Sequence, residues 1–400
     1  MDVPVRAPVS DWTSDFDYLH PRWTENPYSI WRDLRSTCPV AHTDRFSGVY
    51  FPLRYEDIRA VAYDTEHFSS RRVTIRDHIP GQPHQQPALP PLTSDPPDHR
   101  DERKVLLRSF TPAAAEKLEP RTRSVCRELL KRLSGRSECD IAVDYAQEIP
   151  TRIIAVMLGL PEHEGDRFRN WINDITRGFG DPATARRVRS EMTEFVTEHV
   201  ASRRDESSDD LVGELLTARL NGQPLSDEHI IGTVRLLMIA GIDTTWSMVG
   251  TSLWHLATHD EDRKRLLAEP QLIPTAIEEF LRAYAPVVVG RVIDKETEIS
   301  GCPVKAGEMV MLAYGAANRD PAVFPDPDQV VIDRGENRHA AFGLGIHRCV
   351  GAYLARMELR VAVEEWLRAF PDFMLSPGAV VTWSSGAVRG PRQLPVTIRR

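Results

Sequence analysis

Cysteine is scarce: the five residues Cys38, Cys126, Cys139, Cys302 and Cys349 are scattered, odd in number and contain no CxxC pair. That excludes a disulfide framework and the usual structural zinc spacings. Long apolar runs are also lacking. The broken stretches around Val156 and Leu236 fall short of the roughly 18 to 20 apolar residues that a membrane helix needs. There is no excess of basic charge either: 50 Lys and Arg against 58 Asp and Glu give a net charge of −8, which argues against nucleic-acid binding as the main task. The N-terminus, MDVPVRAPVSDWTSDFDYLH, shows no charged start, apolar core or cleavage site of a leader. A cytoplasmic protein with neither membrane nor nucleic-acid partner is the expectation.

What is present is an ordinary globular composition, with 41% hydrophobic and 27% charged residues, which excludes wholesale disorder. Helical periodicity dominates residues 100 to 285. Residues 287 to 313 instead show β-branched alternation with turn signals at Ser300-Gly301 and Ala306-Gly307, and a second β-prone stretch runs from Val380 to Ile398. The reading is a mainly α fold with small β sheets, organised as a single domain over residues 1–400. The proline-rich stretch 79–97 has no helical pattern and reads as a long loop, a lid in preference to a linker because the composition does not change across it.

The segment with most chemical content is Phe342-Gly343-Leu344-Gly345-Ile346-His347-Arg348-Cys349-Val350-Gly351, followed by an amphipathic helical pattern. Its glycines allow conformations and close approaches that a side chain blocks. Cys349 lies just ahead of a helix N-terminus, where unpaired amides and the helix dipole favour an anion. A lowered thiol pKa and a resting thiolate are expected, suited to an axial iron ligand. A small buried hydrophobe and a catalytic nucleophile with His347 as its base remain alternatives at this point.

A long helix is predicted from about Ser226 to about Thr258, apolar around most of its circumference and therefore buried. It contains Ala240-Gly241-Ile242-Asp243-Thr244-Thr245. A threonine hydroxyl there can bond back to a carbonyl one turn earlier and bend the helix, and an acid beside a hydroxyl in a buried site suits directed proton transfer.

The pattern FGxGxHxCxG closely resembles the haem-binding loop of the cytochrome P-450 family, and further motifs match in the same order along the chain. The resemblance implies the family's fold, with a long central helix over the haem. It also implies a b-type haem (iron protoporphyrin IX) ligated by Cys349, with Phe342, Gly343 and Gly351 shaping the loop and Ala240 facing the cofactor. Thr244 takes the position that supports dioxygen activation by a hydrogen bond, and Asp243 the position that relays protons. Asp95-Pro96-Pro97-Asp98-His99-Arg100-Asp101-Glu102-Arg103 places His99 and Arg103 one turn apart, matching a haem-propionate site that Arg291 and His347 complete. Glu279-Phe280-Leu281-Arg282 with Arg334 resembles the family's buried Glu-Arg-Arg network, a structural element.

The implied reaction is monooxygenation: one atom of O2 enters a largely apolar small molecule and the other leaves as water. Electrons would come from a ferredoxin and its NAD(P)H-dependent reductase, with no fused reductase domain expected. A basic stripe of Arg100, Lys104 and Arg108, extended by Arg348, Arg356 and Arg360, is the expected docking face for an acidic electron carrier. Leu236, Ile239, Val287, Val288, Val289, Ala387 and Val388 resemble the family's pocket wall, with polar fixing points expected from Arg71 to Leu92. A peroxide-driven enzyme, a haem-thiolate protein with another reaction or a sensing role, and a non-haem helical protein stay open on sequence.

Overall fold

The computed structural model describes residues 6–76, 88–177, 181–205 and 208–399. Residues 77–87, the middle of the expected lid, lie outside the described residues. Its C-terminal flank lies on the central helix, where Thr233 Oγ1 donates to the Pro90 carbonyl (3.3 Å) and a Cβ on Gly232 would stand 2.9 Å from the Ala88 carbonyl oxygen.

The predicted central helix spans Asp227–Thr258, 32 residues or about 48 Å at 1.5 Å per residue. Ser226 caps it, its hydroxyl accepting from the His229 amide at 3.2 Å, and Asp227 and Glu228 suit the dipole in the first turn. Side chains from Ile230 to Ala257 are buried on nearly every face, because four other helices wrap it: Glu148–Met157, Pro182–Ser202, Ile273–Tyr284 and Ala352–Ala369. The last of these, the cysteine helix, packs most extensively against Pro112–Leu133. There Arg123 and Arg127 engage Glu364 and Glu365 at 2.5 to 3.1 Å. The helix runs unbroken through Gly241. The expected bend is represented only by the predicted back-bond, Thr244 Oγ1 donating to the Ala240 carbonyl at 2.7 Å.

Beside the helices lies a five-stranded sheet in the order Val40–Thr43, Val49–Pro52, Met309–Ala313, Val288–Ile293 and Phe68–Ser69. Its pairings are antiparallel except that Met309–Ala313 runs parallel to Val49–Pro52. The register sets Leu312 opposite Val289 and Val310 opposite Arg291. The turns predicted at Ser300-Gly301 and Gly307 are present, with φ of 48°, 76° and 90°. The strands before residue 70 escape a search for alternation because Val49–Pro52 is buried on both faces. Behind this sheet Phe16, Trp23, Trp31 and Phe51 form a separate aromatic core. The C-terminal strand Pro395–Ile398 pairs with both Phe373–Leu375 and Glu138–Asp140. Among the described residues no helix is long and apolar enough to cross a membrane.

Candidate active site

The cysteine loop is fixed by main-chain bonds. The Cys349 amide donates to the Phe342 carbonyl (2.7 Å) and the Arg348 amide to that of Gly345 (3.2 Å). Gly343 and Gly345 have φ of 76° and 70°, and a Cβ on Gly345 would stand 2.1 Å from the Ala62 carbonyl oxygen, so position 345 admits no side chain. The Arg356 guanidinium lies 4.4 Å from the Phe342 ring centre and closes the loop from behind. Cys349 is exposed, and Ala240 is exposed midway along an otherwise buried helix. Protein surrounds both, so they face an internal hollow and not the outer surface.

Burial pushes the Cys349 thiol up, opposed by the Gly351 amide and by Arg103, Arg348 and Arg356. This corrects the expected lowering. The helix terminus and three guanidiniums do favour the anion, but removal from water outweighs them.

Four basic groups gather beside this sulfur. His99 is buried and its Nε2 has no hydrogen-bond partner among the described residues. Its ring centre lies 4.3 Å from that of His347, whose Nε2 meets Ser70 Oγ at 2.8 Å. Arg291 is buried and, among the described residues, its side chain bonds only the neighbouring Gly290 carbonyl, while Arg103 donates to the Arg348 carbonyl at 2.5 Å. Burial, followed by the charges of Arg291, His99 and Arg103, pushes the His347 imidazole down to about 2. The one carboxylate beside His99 and Arg291, Asp95, is already engaged by the Ser69 hydroxyl and the Ser70 amide. Buried cations and an orphaned imidazole nitrogen with so little opposing charge fit a ligand carrying carboxylates, as the two propionates of haem do. With a sulfur donor beside them, the residues present suit that group.

On the other side, Asp243 pairs with Arg392 (Oδ1 to Nη2 2.5 Å), whose Nη1 also meets Ser247 Oγ at 3.1 Å. Burial pushes the Asp243 carboxyl up, and Arg392 pulls it partly back. Arg392 was not foreseen, because it lies 149 residues from its partner in a stretch without a local motif. The expected pocket wall is assembled from two distant segments: the Val288 amide donates to the Ala387 carbonyl (2.8 Å), and Val287 bridges Val388. Leu236 and Ile239 lie on the turn of the central helix before Ala240.

The predicted Glu-Arg-Arg network is present and wholly buried at its centre. Arg282 grips both oxygens of Glu279 at 2.8 Å, and Arg334 Nε reaches Oε2 at 3.0 Å. Arg282 also caps the carbonyls of Asn318, Pro327 and Gln329, stitching the chain that leads to the cysteine loop. The basic stripe is narrower than expected. Arg100, Lys104, Arg108 and Arg348 are exposed, with Lys104 beside Asp101, but Arg356 is held by Glu278 and Arg360 by Glu119 and Glu364.

Comparison with known proteins accords with this arrangement. Residues 183–381 match the family described as cytochrome P450. The chain is 35% identical over 383 residues to a mycinamicin IV hydroxylase/epoxidase of Micromonospora griseorubida, covering 91% of this chain and 94% of that one. It is 34% identical to a vitamin D(3) 25-hydroxylase of Pseudonocardia autotrophica, covering 96% and 97%. The crystal structure of CYP109E1 from Bacillus megaterium in complex with testosterone superposes with a TM-score of 0.83 at 30% identity, covering 94% of this chain and all of that one. The chain belongs to the cytochrome P450 family, the haem-thiolate monooxygenases.

Proposed function

We propose that Cys349 Sγ ligates the iron of a haem b and that His99, Arg103, Arg291 and His347 hold its propionates. The observation that carries this reading is the buried Arg291 and half-buried Arg103, short of opposing charge, together with a His99 Nε2 that has no partner among the described residues, with Arg103 acting on the cysteine sulfur. When bound, the haem supplies activation of O2, so that one oxygen atom enters a C–H bond of the substrate and the other leaves as water with two protons and two electrons.

The protein's own share is proton handling, positioning and exclusion of water. Because the Thr244 hydroxyl proton is directed at the Ala240 carbonyl, the oxygen lone pairs are left to accept a hydrogen bond from a reactant in the hollow. Asp243, one residue before, exchanges protons when its carboxylate leaves Arg392, and the upward push of burial on its carboxyl favours that role. Leu236, Ile239, Val287, Val288, Val289, Ala387 and Val388 form an apolar wall that orients a substrate by shape. The relatives' named substrates are likewise bulky organic molecules.

Electrons reach the cysteine side from a ferredoxin, which docks on exposed Arg100, Lys104, Arg108 and Arg348. The bond from Arg103 to the Arg348 carbonyl joins the two segments that carry these charges. The test is the difference spectrum of the reduced, carbon-monoxide-bound protein. The parent gives the long-wavelength thiolate band and Cys349→Ala does not; an identical spectrum in the two overturns the assignment.

A further inference from the structure

Most buried or half-buried arginines in this protein face a carboxylate, as Arg282, Arg123, Arg263 and Arg392 do. Two on the pocket side do not. Arg235 is 9% exposed, sits on the central helix one residue before Leu236, and its Nε has no hydrogen-bond partner among the described residues. Arg189 lies half-buried on Pro182–Ser202, the helix that crosses the central helix, and its side chain has neither a hydrogen bond nor an ion pair among the described residues. Each feels a like charge and no opposite one: Arg189 acts on Arg235, and Arg76 acts on Arg189. Burial pushes both guanidiniums down, a sign of charge taken from water without compensation.

The three arginines come from separate parts of the chain and lie within electrostatic reach of one another, Arg76 of Arg189 and Arg189 of Arg235. Arg76 lies three residues after Val73, whose carbonyl accepts from the Gly290 amide of the wall strand at 2.7 Å. Arg235 lies five residues, about 7.5 Å along the helix axis, from Ala240. The apolar wall of Leu236, Ile239, Val288 and Val289 lies beside them. Like charges held near one another with part of their hydration removed favour an anion between them, and a planar guanidinium is matched well by a carboxylate.

We propose that Arg235 and Arg189, assisted by Arg76, form the anchoring site for a substrate carboxylate, so that the substrate is an organic acid with an apolar body. The inference rests on the haem-site reading given under Proposed function. The carboxylate sits at the arginines, and the apolar chain runs along the wall toward the hollow at Ala240.

The test uses the haem-loaded protein and ω-(imidazol-1-yl)alkanoic acids of about six to twelve carbons, each beside its methyl ester. The imidazole reports its arrival at iron by a Soret shift, so ester binding alone checks the haem-site reading. At the best chain length the acid is expected to bind about tenfold more tightly than its ester at low ionic strength, the worth of a charge-assisted bond. Arg235→Gln and Arg189→Gln each remove most of that preference and leave ester binding unchanged. Should Arg235→Gln fold poorly, the half-exposed Arg189→Gln carries the same comparison. Acids no tighter than esters at every length, or a preference that persists in the variants, overturn the proposal. No Soret shift with either ligand overturns the haem-site reading instead.

Discussion

Arg392 Nη2 lies 2.5 Å from Asp243 Oδ1, and the same guanidinium lies 4.1 Å from the Trp246 ring centre and bonds Ser247. One side chain from the strand Pro391–Gln393 thus ties the acid of the central helix to the C-terminal part of the chain.

Removing that partner leaves a carboxyl already raised by burial without compensation. Its folded-state pKa exceeds the unfolded value, so its ionisation subtracts stability as pH rises, and Arg392→Gln widens the gap. The variant should lose about 2 to 3 kcal/mol at pH 8 and much less at pH 4. Adding Asp243→Asn should restore most of it. Denaturant unfolding at the two pH values measures both.

Thr244→Ala should leave haem content and the carbon-monoxide spectrum unchanged, because the hydroxyl bonds only a helix carbonyl. Product formed per electron pair should fall by about tenfold or more, while oxygen consumption continues. Thr244→Ser should recover most of the coupling. Parallel measurement of product, NAD(P)H and O2 decides it.

Glu279 receives Arg282, Arg334, the Val331 amide and Asn337. Glu279→Gln removes the charge that compensates two buried or nearly buried guanidiniums and should cost about 3 kcal/mol or more. Because the network anchors the approach to the cysteine loop, haem should be lost below the temperature at which the helices melt. Soret absorbance followed alongside far-ultraviolet circular dichroism separates the two events.

Glu358, on the cysteine helix, is buried, its Oε1 has no partner among the described residues, and burial pushes its carboxyl up to about 8. It is therefore protonated at neutral pH. The stability this neutral form allows is complete below pH 4.5 and declines as pH climbs to about 8. Glu358→Gln should flatten that decline, so that between pH 5 and 8 the variant loses about 3 kcal/mol less than the parent. Equal pH profiles would show that the group is ionised in the folded protein.

The cysteine loop, the Glu279–Arg282 pair and the central helix were legible because each is local: their chemistry lies within one turn or one loop. What was hidden depended on tertiary packing. Arg392 meets Asp243 only through the fold, and the desolvation that raises the Cys349 thiol cannot be read from a helix terminus. Arg356 and Arg360 look free in a one-dimensional stripe, yet Glu278 and Glu119 come to them from other helices. The strand Val49–Pro52 has no alternation because both its faces are covered.

The seam where the Val288 amide donates to the Ala387 carbonyl and Val287 bridges Val388 is made of main chain alone. Such a frame holds its shape whatever side chains are mounted on it. Valine exchanged there for alanine or phenylalanine resizes the recess without loosening its supports, so a change of chemical diet is within reach of single codons.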